Sequence, residues 1–194
     1  LTGTGMAFPW RQIRDAHLAS AELAEDMKLG IDLALSGHAP LFCPDARVTS
    51  RFPSSVPAVA TQRARWEHGH LGVIVRELPR LVAQGVAHGE WRLVGLALDL
   101  AVPPLALLAA LIVLALADSL ALLWLGLAAF PVLLSGAAAA LLFLAVLLAW
   151  HGWGRAILPL IELLSVPAYV LGKLPLYLRF WTRRQKEWVR TQRE

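Results

Sequence analysis

A single cysteine, Cys43, among 194 residues rules out an intrachain disulfide, and no Cys/His spacing matches a zinc module. Charge is scarce too. Asp, Glu, Lys and Arg make up 16% of the chain, against about 25% in soluble domains. With 57% hydrophobic residues, this excludes an ordinary soluble chain and points to a membrane protein. There is no internal repeat and no coiled-coil heptad. Position 1 is not methionine and no signal peptide follows. The chain opens on Leu1-Thr2-Gly3-Thr4-Gly5, which reads as the middle of a domain, so an N-terminally truncated chain is expected.

What is present divides at Trp91: a first part of soluble composition, then a long apolar part. The net charge of +4 rests heavily on the C-terminal tail. In a membrane protein such a tail marks cytoplasmic orientation, and no nucleic-acid partner is expected.

Gly3-Thr4-Gly5 and the apolar residues up to Phe8 read as a buried strand whose glycines admit a close neighbour. From Ile13 to Ser36 the apolar period is helical, with Leu23, Met27, Ile31 and Leu35 four apart and Gly37 as a stop. Within it lies Ala24-Glu25-Asp26. Two acids at a helix start suit the macrodipole; equally, one carboxylate exposed there can act as a general base. His38–Phe42 and Ala46–Ser50 are short extended candidates around the Cys43-Pro44-Asp45 turn. Ser54-Ser55-Val56-Pro57 then starts a helix that carries Gln62, Arg65, Trp66 and Gly69 on one face. An amide, a guanidinium fork, an indole and a gap could handle a phosphorylated sugar. A juxtamembrane helix with Trp and Arg at the headgroups is the other reading.

Further on, Leu71, Ile74, Leu78 and Leu81 form a stripe opposite Arg76, Glu77 and Arg80, with Pro79 a kink: an amphipathic helix in the membrane interface over residues 71–92. Glu67, His68 and His70 read as solvated or phosphate-facing side chains rather than as a metal site. Leu93–Ala117, with Pro103-Pro104 as a kink and Asp99 inside, is the expected first span. Asp118-Ser119 makes the turn and Leu120–Trp150 returns, giving a transmembrane hairpin over 93–150. The apolar part of 151–194 is interrupted by Pro159, Glu162, Pro167, Lys173 and Pro175. It reads as an interfacial or re-entrant segment, with a third span as the alternative, before a basic cytoplasmic tail.

The order Gly3-Thr4-Gly5, Glu25-Asp26, Pro44-Asp45-Ala46, Gln62-x-x-Arg65-Trp66 and then membrane helices resembles the membrane-bound family 2 glycosyltransferases, which include cellulose-synthase-like and other processive polysaccharide synthases. The resemblance implies α/β plus transmembrane helices. Residues 1–70 would be the acceptor-side half of a GT-A-like domain, followed by a helical membrane region, and the chain as given would be mostly α. It implies an inverting transfer from a nucleotide-sugar, with UDP-sugars the expected donors, to a growing polysaccharide at the cytoplasmic face of the inner (plasma) membrane. The alternatives are single transfer to a lipid-linked acceptor and a non-catalytic membrane adaptor. Asp26 maps to the general base, although Ala24 stands where the family usually has Thr. Gln62, Arg65 and Trp66 map to the acceptor and donor-diphosphate site; Glu25, Gly3, Thr4 and Gly5 map to substrate-binding positions. A divalent metal, Mg2+ or Mn2+, is expected on the donor. The Asp-x-Asp motif that would hold it occurs nowhere in this sequence, so no metal ligand is assigned and activity is expected to need an earlier, donor-binding half.

Overall fold

The computed structural model describes residues 5–14, 16, 18, 23–49 and 55–182. The chain forms two compact units, Leu1–Pro103 with Phe180–Glu194, and Pro104–Arg179.

Three helices build the first unit's core: α2 (Glu25–Leu35), α3 (Val56–His88) and α4 (Trp91–Leu100), preceded by one turn, α1 (Trp10–Ile13). Ser55 caps α3 by accepting from the Ala58 N–H at 3.4 Å, and Pro57 sits in its first turn. The helix then runs 33 residues, about 50 Å. Pro79 is accommodated inside it, so the two helices expected over 56–88 are one. Gly89 ends it in the left-handed region at φ 66, and the Glu90 N–H reaches back to the Gly85 carbonyl at 2.8 Å. The two-residue connection returns α4 antiparallel to α3.

The core joins Ala24 and Ile31, Val73 and Leu81, and Leu93, Ala97 and Leu100. Ile74 and Leu78 pack against it, and Leu71 is buried. The leucine stripe expected to face the membrane interface is therefore spent on covering α2 and α4. Among the described residues there is no strand. Gly5–Phe8, His38–Phe42 and Ala46–Thr49 are non-helical and largely exposed. Among the described residues no adjacent strand pairs with them, and Pro40 and Pro44 remove donors. Gly3, Thr4 and Ser50 lie outside the described residues.

The second unit is built on α5 (Leu105–Trp124) and α6 (Phe130–Ala149), which continues through a π-turn at Trp150–Gly154. Asp118 and Ser119 lie inside α5 rather than in a turn: the Ser119 hydroxyl donates to the Leu116 carbonyl at 2.9 Å, and no breaker intervenes before Gly126. The turn is at 125–129. Pro104 starts α5 instead of kinking a longer span, which leaves Asp99 on the separate helix α4. After α7 (Leu160–Leu163), α8 (Val166–Thr182) carries Pro167 in its first turn and Pro175 inside. By length and composition three helices can cross a membrane: Leu105–Trp124, Phe130–Gly154 and Leu160–Thr182.

Candidate functional site

The two sequence motifs meet where α2 begins against α3. Gly69 is buried. A Cβ placed on it would lie 3.1 Å from both the Cβ and the backbone nitrogen of Ala24, and 3.2 Å from the Leu23 carbonyl carbon. The gap on the Gln62–Gly69 face is thus filled by protein backbone, not left open for a ligand as its composition predicts. Ala24 is the residue before α2, and Glu25 and Asp26 open that helix. Arg65 and Trp66 precede Gly69 by about one helical turn.

Their environments differ. Glu25 is exposed and Asp26 half-buried, both in the first turn, where free backbone N–H groups favour negative charge. No side chain caps α2, since Ala24 has no hydroxyl to offer. Trp66 is 48% exposed. Arg65 is half-buried. The Gln62 amide oxygen is buried and accepts no hydrogen bond among the described residues, an acceptor that a hydroxyl donor could satisfy. Gly5, at φ 71, packs against Val48 so closely that a Cβ would collide with its methyl group. The structure packs Ala24, the residue before Glu25 and Asp26, against Gly69 of the helix that carries Gln62, Arg65 and Trp66. Gly5 is held by Val48, and Gly3 and Thr4 are outside the described residues.

A second anchor sets the register of α2 on α3. Lys28 pairs with Asp32 on its own helix and reaches Glu77 at 3.7 Å; Glu77 in turn lies 3.6 Å from Arg80. Glu77 is buried, although in the sequence it reads as part of a solvated polar face. A buried acid opposite a lysine from another helix has no periodic signature, which is why sequence reasoning misses it.

The histidines depart from their expected exposure. His68 is buried with its ring edge-on to Phe180, centroids 5.6 Å apart at 65°. His70 is half-buried; burial pushes it below the usual imidazole range, and the Glu67 carboxylate opposes that shift. Among the described residues no group of three or more His, Cys, Asp or Glu side chains could hold a metal ion.

A model for the family described as "Glycosyl transferase family group 2" matches residues 1–180 of the chain. No curated protein and no solved structure matches it.

Proposed function

Because the chain belongs to glycosyl transferase family group 2, we propose that it supplies the acceptor-side chemistry of an inverting transfer from a nucleotide-sugar, a UDP-sugar in the first instance, to a growing polysaccharide. The Asp26 carboxylate takes the proton of the acceptor hydroxyl as its oxygen attacks the anomeric carbon. The bond from that carbon to the donor diphosphate breaks, and its electron pair leaves on the nucleoside diphosphate. Arg65 meets the negative charge that develops there. Trp66 stacks on the acceptor sugar and Gln62 accepts from one of its hydroxyls. Glu25, beside the base, and the Gly3–Gly5 segment would line the acceptor. The described residues do not fit a metal site. A divalent cation on the donor, Mg2+ or Mn2+, would be held by other residues, and no step here runs through it.

The observation that supports this reading is the packing of Ala24 on Gly69, which joins the helix that begins with Glu25 and Asp26 to the helix that carries Arg65 and Trp66. Location is part of the same proposal: an inner (plasma) membrane protein with residues 1–92 and the C-terminal tail at the cytoplasmic face. Two features support it. The turn at 125–129 carries no Lys or Arg. Phe180 also touches His68, which favours an even number of crossings between α3 and Phe180, with the Leu160–Thr182 stretch re-entrant or interfacial.

Asp26→Asn in the full-length enzyme, with its donor-binding half, tests the mechanism. Transfer from labelled nucleotide-sugars should be lost while donor binding is retained, because the substitution removes a base and no donor contact. Unchanged turnover overturns the assignment.

A further inference from the structure

An open cleft of about 360 Å³ is lined by Leu35, Arg80, Gln84, His88, Glu90 and Leu93. Leu35 ends α2, which puts the cleft about 14 Å along that helix from Asp26. Arg80, Gln84 and His88 recur every four residues and so form one line of about 12 Å along α3. Glu90 comes from the α3–α4 connection and Leu93 from the first turn of α4. Close packing holds this edge in place. A Cβ on Gly85 would lie 2.8 Å from a Val94 methyl, 3.1 Å from the Val94 nitrogen and 3.2 Å from the Glu90 carbonyl oxygen. Only glycine lets the start of α4 approach α3 this closely. The Glu90 N–H is bonded to the Gly85 carbonyl, so Glu90 stands on a fixed backbone beside the α3 line.

The lining decides what fits. His88 Nδ1 lies 2.9 Å from the Gln84 carbonyl oxygen. A carbonyl only accepts, so Nδ1 carries the proton and Nε2 remains for another partner. The Glu90 side chain does not cap α4. Among the described residues neither its carboxylate nor the Gln84 side-chain amide makes a hydrogen bond or ion pair. The cleft thus offers donors on Arg80 and Gln84, acceptors on Gln84, Glu90 and His88, and two leucines. A phosphate, which accepts only, would meet the Glu90 carboxylate at the negative end of α3. A cation would meet Arg80, whose charge is shared with Glu77 at 3.6 Å. A neutral ligand rich in hydroxyls satisfies both sets, because each hydroxyl donates and accepts, and its C–H faces suit Leu35 and Leu93.

We propose that the Arg80–Gln84–His88–Glu90 cleft binds a neutral saccharide and is a sugar-holding site separate from the proposed transfer site at the other end of α2. The inference goes beyond the chemistry assigned to Asp26 and does not require it. A segment of a polymer and a free short sugar present the same hydroxyl chemistry to this cleft.

Binding without a sugar donor tests it. The full chain, in a detergent that has no sugar headgroup, is titrated calorimetrically with cellohexaose, maltohexaose and chitohexaose, with their monosaccharides and with inorganic phosphate. At least one saccharide should bind. Gln84→Ala should weaken it about fivefold and Glu90→Ala about tenfold, the worth of hydrogen bonds to a neutral and to a charged group. Neither residue belongs to the core cluster, so both variants should melt with the native chain. Trp66→Ala, which removes the ring proposed to stack at the transfer site, should leave this binding in place. Saccharide binding that is lost with Trp66→Ala and indifferent to the cleft variants overturns the proposal and leaves the transfer-site reading standing. Binding of phosphate alone overturns it in favour of an anion site, and binding of none of the probes overturns it outright. Tighter binding of a hexasaccharide than of its monosaccharide marks a polymer segment as the occupant; equal affinities mark a free sugar. Sugar transfer enters none of these readouts, so failure of the Asp26 assignment is seen separately.

Discussion

Gly69 and Ala24 touch through the space a side chain would occupy: a Cβ on Gly69 would be 3.1 Å from the Cβ and the nitrogen of Ala24. That contact joins the two helices that carry the separate sequence motifs, and it predicts how the proposed site would fail. Gly69→Val must push back a backbone, not a flexible side chain tip, and overpacking of this kind costs about 1–3 kcal/mol. The expected result is a lower melting temperature in detergent together with reduced transfer. Gly69→Ala recovers about 1 kcal/mol of helix propensity against a smaller strain. Its melting temperature should stay close to that of the native chain while transfer still falls. Full transfer in Gly69→Val would mean that the spacing of α2 and α3 does not matter to the chemistry.

Part of this arrangement is legible in the sequence. The Ser55 cap and Pro57 announce α3, and the order of the Glu25-Asp26 and Gln62-x-x-Arg65-Trp66 motifs announces the family, because local caps and short motifs are local signals. The use of α3's faces is not legible. Leu71, Ile74, Leu78 and Leu81 have the period of an interfacial stripe, and the same period serves a helix packed on two others. The hairpin turn is misread for a related reason. Asp118-Ser119 looks like a loop, but a serine can return its hydroxyl to its own helix, as Ser119 does to Leu116. Expected strands at 38–42 and 46–50 need partners that periodicity cannot supply.

Arg65→Lys isolates geometry from charge. Lysine has nearly the same helix propensity, so the fold should be retained. An ammonium cannot reproduce the planar two-pronged donor that a diphosphate accepts. Loss of one such stabilising contact is worth about 10²–10³ in kcat, measured as initial transfer rate at saturating donor. Wild-type turnover would remove Arg65 from the leaving-group role.

His70 makes stability depend on pH with a definite sign. Burial lowers its folded-state pKa below the ordinary 6.5, so on acidification the unfolded chain takes up a proton before the folded one does. The stability associated with neutral His70 is complete above about pH 6.5 and is lost as pH falls from there through the folded pKa. Melting temperature should decline across that window, and His70→Gln should flatten the decline. Glu67 opposes the shift, so Glu67→Gln should lower the imidazole pKa further, read directly by NMR titration. An upward shift in that variant would rule out a Glu67–His70 interaction of this sign.

The α5–α6 hairpin offers a test of how much a polar link is worth between these helices. The Ser119 and Ser135 hydroxyls lie 2.8 Å apart, both buried. Each also has a carbonyl on its own helix: Leu116 at 2.9 Å for Ser119 and Pro131 at 2.8 Å for Ser135. The two hydroxyl protons have more acceptors than they can serve, so removing one serine leaves the other with an acceptor rather than orphaned. Ser119→Ala and Ser135→Ala should each cost about 0.6 kcal/mol, typical of interhelical hydrogen bonds in membranes. The double variant should cost little more than either single one, because the shared bond is lost only once. Reversible unfolding in mixed micelles measures all three. A single substitution costing several times that amount would show that the remaining hydroxyl cannot fall back on its own helix.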